Sequence, residues 1–105
     1  MYRVILKNVP KPGQEADYIA QWQRGSDVIQ TYPGALGTKL FSKVGEPGAT
    51  YAMADWVSKE AREQAFDKIK QERSDAEEVL GKYKEFLESW EVFAEYELIA
   101  KSPTE

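Results

Sequence analysis

The sequence contains no cysteine and no histidine. The first absence removes a disulfide framework, a thiolate nucleophile and a thiolate metal site. The second removes the one side chain that shuttles protons near neutrality, together with any imidazole ligand for zinc or haem iron. Long apolar runs are also missing. The opening Met1-Tyr2-Arg3-Val4-Ile5-Leu6-Lys7 is too short for the core of a signal peptide, and no later stretch approaches the roughly 18 residues of a membrane span. A cytoplasmic protein without membrane contact is expected. Basic residues number 14 against 18 acidic ones, a formal net charge of −4, and the lysines are scattered among glutamates. With no basic stripe, nucleic acid is not an expected partner.

What is present fits one folded domain spanning 1–105. Hydrophobic residues at 42% and charged residues at 30% suit a chain that buries a core and stays in solution. A second core would need at least about another 50 residues. A core this small is marginal, so burial against a second copy would help it.

Periodicity gives the element order. Tyr2 to Asn8 alternate, with Val4 and Leu6 on one face and Arg3, Ile5 and Lys7 on the other, as in a strand. Pro10 to Gly13 break it, and Tyr18, Ile19, Trp22, Ile29 and Tyr32 then recur at helical spacing from Gln14 to about Thr31. Gly25 and Ser26 on that stripe would let the helix approach a sheet closely. Tyr32-Pro33-Gly34 end the helix. Strand-like runs from Ala35 to Val44 and Thr50 to Val57 flank a hairpin loop, Gly45 to Ala49. Ser58 is placed to cap a helix from Lys59 to about Glu72, with Ala61, Ala65, Phe66 and Ile69 along one stripe. Ser74 to Glu77 reads as a capping box for a further helix to about Glu88, burying Val79, Leu80, Tyr83 and Leu87. Lys82 to Lys84 read as solvated helix face. A last strand alternates Trp90, Val92, Ala94, Tyr96 and Leu98 against Glu91, Phe93, Glu95, Glu97 and Ile99, before a flexible tail from about residue 100.

This order is the α+β, ferredoxin-like βαββαβ arrangement, in which right-handed crossovers place both helices on one face of an antiparallel sheet. The alternation puts Ile5, Phe93 and Ile99 on the other face among Arg3, Lys7, Glu95 and Glu97. A face too apolar for water and too charged for a core predicts a homodimer through the sheets. Arg3 and Lys7 would pair across the first and last strands with Glu95 or Glu97.

Trp22, Pro33-Gly34-Ala35-Leu36-Gly37 and Ala54-Asp55-Trp56-Val57-Ser58-Lys59-Glu60-Ala61 together resemble the antibiotic biosynthesis monooxygenase family of dimeric α/β barrels. The resemblance covers residues 2 to about 70. It implies that fold, and one branch of the family oxidises aromatic phenols without metal or flavin: the substrate is deprotonated and its anion passes an electron to dioxygen. That branch carries an asparagine four residues before the strand-end tryptophan. Trp56 matches the tryptophan, but the asparagine position is Ala52. A second branch degrades haem with an asparagine near the end of strand one, a helix tryptophan and a histidine ligand. Asn8 matches the first, whereas the other two positions fall on Ala65 and near Asp75.

The candidate site is therefore Asn8 as the catalytic group that polarises a substrate oxygen, with Trp22, Trp56 and Phe66 as substrate-binding walls and no metal or other cofactor. Ala52 and Ala54 share the face of Trp56 and leave volume beside its ring. Such a hollow suits a small aromatic or quinol-like molecule. The alternative is a dimer of the same fold that binds a small ligand, or merely assembles, without catalysis.

Overall fold

The computed structural model describes residues 1–72 and 81–104. Four strands form one antiparallel sheet in the order β2-β3-β1-β4: β1 (Tyr2–Pro10), β2 (Ala35–Lys43), β3 (Glu46–Trp56) and β4 (Leu87–Glu97). Helix α1 (Glu15–Ile29) connects β1 to β2, and α2 (Lys59–Glu72) follows β3. The four-stranded sheet with two helices is the ferredoxin-like arrangement the sequence predicts.

Local chemistry explains the boundaries. The Ala61 N–H donates to Ser58 Oγ at 3.0 Å, so Ser58 caps α2. Gly34 sits at φ +91°, and a Cβ there would stand 2.7 Å from Ala61 Cβ, so the turn between α1 and β2 requires glycine twice over. Tyr2, Val4, Trp56 and Ala65 form the centre of the core, with Ile29, Tyr32 and Ala61 packed around it. Ala65, where a haem-degrading relative would carry tryptophan, is simply part of this core.

Several boundaries and faces differ from the sequence reading. β3 begins at Glu46, not Thr50, because Lys43 pairs with Glu46 around a tight turn and residues 47–49 bulge before Thr50 meets Ser42. On α1, Ile19 is exposed, while Tyr18, Gln21, Gly25 and Ser26 form the buried side. Tyr83–Phe86 is a short 3₁₀ turn and Leu87 already opens β4, so no helix reaches Glu88. The expected capping box at Ser74–Glu77, with Val79 and Leu80, lies outside the described residues.

The largest correction concerns β4. Ile5 pairs with Ala94 but Leu6 pairs with Val92, so Phe93 is an extra residue in the ladder. A one-residue insertion flips every later side chain to the other face. Tyr96 therefore joins Arg3 on the open face, and Glu95 pairs with Val4 on the helix side. There the Tyr2 hydroxyl donates to Glu95 Oε1 at 2.5 Å, and Lys59 Nζ lies 3.3 Å from it. The expected pairing of Arg3 and Lys7 with Glu95 or Glu97 is thus replaced. Arg3 grips Asp55 through Nε and Nη2 at 2.7 and 2.9 Å, and Lys7 Nζ meets Glu46 at 2.8 Å, both partners on β3. Ile99 lies beyond the strand and is 96% exposed, so it does not belong to the sheet face.

Candidate functional site

The sheet register brings side chains of β1, β3 and β4 together under the helices. Leu6 faces Ala52 and Val92, and Asn8 faces Thr50 and Trp90. Because Val4 faces Ala54 and Tyr2 faces Trp56, the two alanines lie on the same face as the tryptophan ring. Their small side chains leave a cavity of about 470 Å³ between this sheet face, α1, α2 and the 3₁₀ turn. That volume lies in the range of small-molecule sites. Its lining is mainly apolar: Val4, Leu6, Ala52, Ala54, Trp56, Phe66 and Ile69 provide most of the floor and one wall.

All four residues singled out in the sequence line this cavity. Trp56 is 1% exposed, and its ring lies 6.4 Å from that of Phe66, tilted by 55°. Trp22 lines it from α1 and also borders a shallower groove against β2. Asn8, also 1% exposed, occupies the polar end. Its Nδ2 donates to Tyr18 Oη at 2.9 Å, while its Oδ1 is buried without a hydrogen-bond partner among the described residues. A buried amide oxygen left unpaired is uncommon, since its desolvation penalty is about 1–3 kcal/mol. The Thr50 hydroxyl donates to the Asn8 main-chain carbonyl at 2.6 Å and so fixes the strand at this point.

Sequence reasoning did not find Tyr18 or Tyr83. Burial pushes both phenols above their ordinary pKa, that of Tyr18 against the opposing pull of hydrogen bonds with Thr50 and Asn8. Both are protonated near neutrality and neither is a base there. Three cations were also overlooked: Arg62 and Lys70 from α2, and Lys84, read above as solvated helix face. The signal was present, since Arg62, Phe66 and Lys70 fall at i, i+4 and i+8 on one helix stripe. Asp55 is committed to Arg3 on the opposite sheet face. No group of three or more acidic side chains converges as a metal site among the described residues. Nor is any helix there long and apolar enough to cross a membrane.

A four-stranded antiparallel sheet with two helices and a largely apolar cavity beneath them defines a small ferredoxin-like α+β domain. Residues 1–69 match the family model for antibiotic biosynthesis monooxygenases, and the chain belongs to that family. No protein of curated function matches it. Among solved structures it is similar to a mutant form of SnoaB, a cofactor-independent oxygenase from Streptomyces nogalater, at TM-score 0.77 and 12% identity, covering 97% of this chain and 96% of that one. It is similar to an antibiotic biosynthesis monooxygenase at TM-score 0.72 and 14% identity, covering 95% and 100%. A conserved protein from Methanosarcina mazei Go1 matches at TM-score 0.72 and 20% identity, over 90% and 89%. At these identities the likeness is one of fold.

Proposed function

We propose that this protein is a cofactor-independent monooxygenase for a small aromatic or quinol-like substrate, working in the cytoplasm as a homodimer. The observation that carries the reading is the buried Asn8 amide, its oxygen without a partner among the described residues, beside the apolar floor of the cavity. An unpaired acceptor there favours a ligand with a hydroxyl group, and the aromatic walls favour a flat ring system. Membership of the family supports the oxygenase chemistry.

The substrate in this scheme supplies its own acidity, because the buried tyrosines titrate above their usual range and the sequence offers no histidine. Its anion transfers one electron to dioxygen, and radical and superoxide combine to form a C–O bond. The peroxide takes a proton; the carbon that bears it then loses its remaining hydrogen as a proton, and that electron pair forms the carbonyl as the O–O bond breaks. The departing hydroxide takes up the proton and leaves as water. Tyr18 both donates and accepts, so the Asn8 amide can serve either state of the substrate. Its oxygen receives a neutral hydroxyl. After a half-turn, with Tyr18 donating to the amide oxygen, its N–H faces the oxyanion.

Dimerisation is supported by the open sheet face. Met53 pairs with Ile5, and Phe41 with Tyr51, while Phe93 packs edge-on to Tyr51 with centroids 5.2 Å apart. Phe41, Phe93 and Tyr96 remain about half exposed, a contiguous apolar surface of the kind interfaces use. Sedimentation at micromolar concentration should give a dimer, and Phe93→Asp should give monomers. A wild-type monomer would refute this part. The activity is tested by oxygen uptake with a panel of hydroquinones and anthrones, with rate rising along each substrate's own ionisation. No uptake by any of them, alongside saturable quenching of tryptophan fluorescence, would favour the ligand-binding alternative.

A further inference from the structure

The residues of the cavity that belong to α2 and the 3₁₀ turn point to a further feature of the substrate. Arg62, Lys70 and Lys84 all line the cavity. Lys70 and Lys84 are exposed and Arg62 is half-buried, which places their charges at the mouth and their stems along its wall. None of the three has an ion-pair partner among the described residues. Arg62 instead lies over the Phe66 ring at 4.9 Å, and Lys84 over the Trp90 ring at 5.4 Å. The other lysine–carboxylate contacts on this side are Lys59 with Glu95 and Lys68 with Glu72, neither of them at the cavity. Among the described residues one acidic side chain borders the cavity, Glu91, and its register opposite Lys7 assigns it to the open sheet face.

Three cations around one opening are unexpected in a chain of net charge −4. They lie on two separate elements and meet at the cavity. Two of them rest on aromatic rings at its rim, a position in which the charge stays near the opening when no anion is bound. A mouth of one sign raises the local concentration of oppositely charged ligand and favours its bound orientation.

We propose that the ligand of this cavity is an aromatic acid: a flat ring system whose hydroxyl meets Asn8 at the buried end and whose carboxylate lies at the mouth against Arg62, Lys70 and Lys84. The inference rests on the cavity being the substrate site, and it adds the anionic group. It also gives the site a direction, since a molecule with a donor at one end and an anion at the other enters one way round.

The test uses two probes that differ by the carboxylate alone, 2-naphthol and 6-hydroxy-2-naphthoate. All three tryptophans of the sequence, Trp22, Trp56 and Trp90, line the cavity, so intrinsic fluorescence reports directly on it. At low salt and pH 7, the naphthoate should bind about tenfold or more tightly than the naphthol, from three partly exposed cations each contributing a factor of about two to five. Raising the ionic strength from about 0.02 to 0.5 M should erase most of that advantage and leave naphthol binding unchanged. Lys70→Gln with Lys84→Gln should reduce the ratio several-fold, and as substitutions of exposed side chains they should leave the melting temperature in place. Equal, salt-independent binding of both probes would overturn the anionic assignment while leaving the cavity as the site. Binding of neither would overturn the site itself and this inference with it.

Discussion

Replacing Asn8 by leucine separates a structural amide from a functional one, because the two predict opposite balances of stability and activity. The substitution removes the hydrogen bond that Nδ2 donates to Tyr18 at 2.9 Å. Because Tyr18 is fully buried, leaving its hydroxyl without this partner costs about 1–3 kcal/mol. It also removes a buried Oδ1 that has no partner among the described residues, and thereby relieves about 1–3 kcal/mol of desolvation. Leucine has the same branched shape, and the adjoining cavity can take its greater bulk. The two contributions nearly cancel, so the net change in stability should fall within about 1 kcal/mol of zero, either way. For a domain of this size that is a shift of melting temperature of no more than about 4–8 °C.

Turnover should behave differently. Loss of one preorganised group at a developing oxyanion lowers rates on the order of 10–1000-fold. The experiment is a thermal melt of both proteins beside oxygen uptake, or fluorescence titration with a hydroxylated aromatic where turnover is slow. A drop in stability above about 3 kcal/mol would show that the amide is fully used in folding, and unchanged binding and turnover would show that it has no role in the site. Either result refutes the reasoning. Asn8→Ala adds a cavity term and is the less discriminating variant.

Gly34→Ala should destabilise the fold by about 2–4 kcal/mol, since φ of +91° and a Cβ 2.7 Å from Ala61 Cβ combine backbone strain with a clash; a denaturant midpoint unchanged from wild type would refute this. Hydrogen bonds from Lys7 and then Tyr51 hold the Glu46 carboxyl down at about 2. A depressed carboxyl gives stability that is present above its unfolded value near 4.5 and lost as pH falls toward 2, so Glu46→Gln should flatten the stability profile across that window, read by thermal melts between pH 2 and 5. Burial, and then the Glu95 hydrogen bond, push the Tyr2 phenol up to about 12. Its contribution is present below pH 10 and lost as pH rises from 10 to 12, and Tyr2→Phe should remove that alkaline slope in the same assay.

Features carried by local chemistry were legible in the sequence. Ser58 caps α2 because a hydroxyl at that position satisfies a free N–H, whatever the rest of the chain does. Val4, Leu6, Ala52, Ala54 and Trp56 share a face because strict alternation holds along β1 and the second half of β3. Asn8, Trp56 and Phe66 could be gathered around one hollow for that reason. What was illegible depends on pairing between distant strands. The extra residue Phe93 follows from how β4 meets β1, and no local signal marks it, since Trp90 to Ile99 alternate without interruption. The Asn8–Tyr18 bond crosses from strand to helix and needs the tertiary structure to be seen.

That single inserted residue divides the domain into two chemically different halves. Before it, Tyr2 and Val4 on β1 join Trp56 and Ala65 in a packed core, and Glu95 is turned inward to receive the Tyr2 hydroxyl and Lys59. After it, Leu6 and Asn8 face Val92 and Trp90, and the space above them is the cavity rather than core. Without the bulge, Glu95 would stand on the open face beside Arg3 and Ile5, where its charge would oppose sheet-to-sheet burial. With it, Phe93, Ala94 and Tyr96 occupy that face, while Arg3 and Lys7 are neutralised within the sheet by Asp55 and Glu46. One irregularity thus adds apolar surface to the open face, and it also brings Glu95 to Tyr2 and Lys59 on the helix side. The cavity also reaches α2 and the 3₁₀ turn, the two elements that carry Arg62, Lys70 and Lys84.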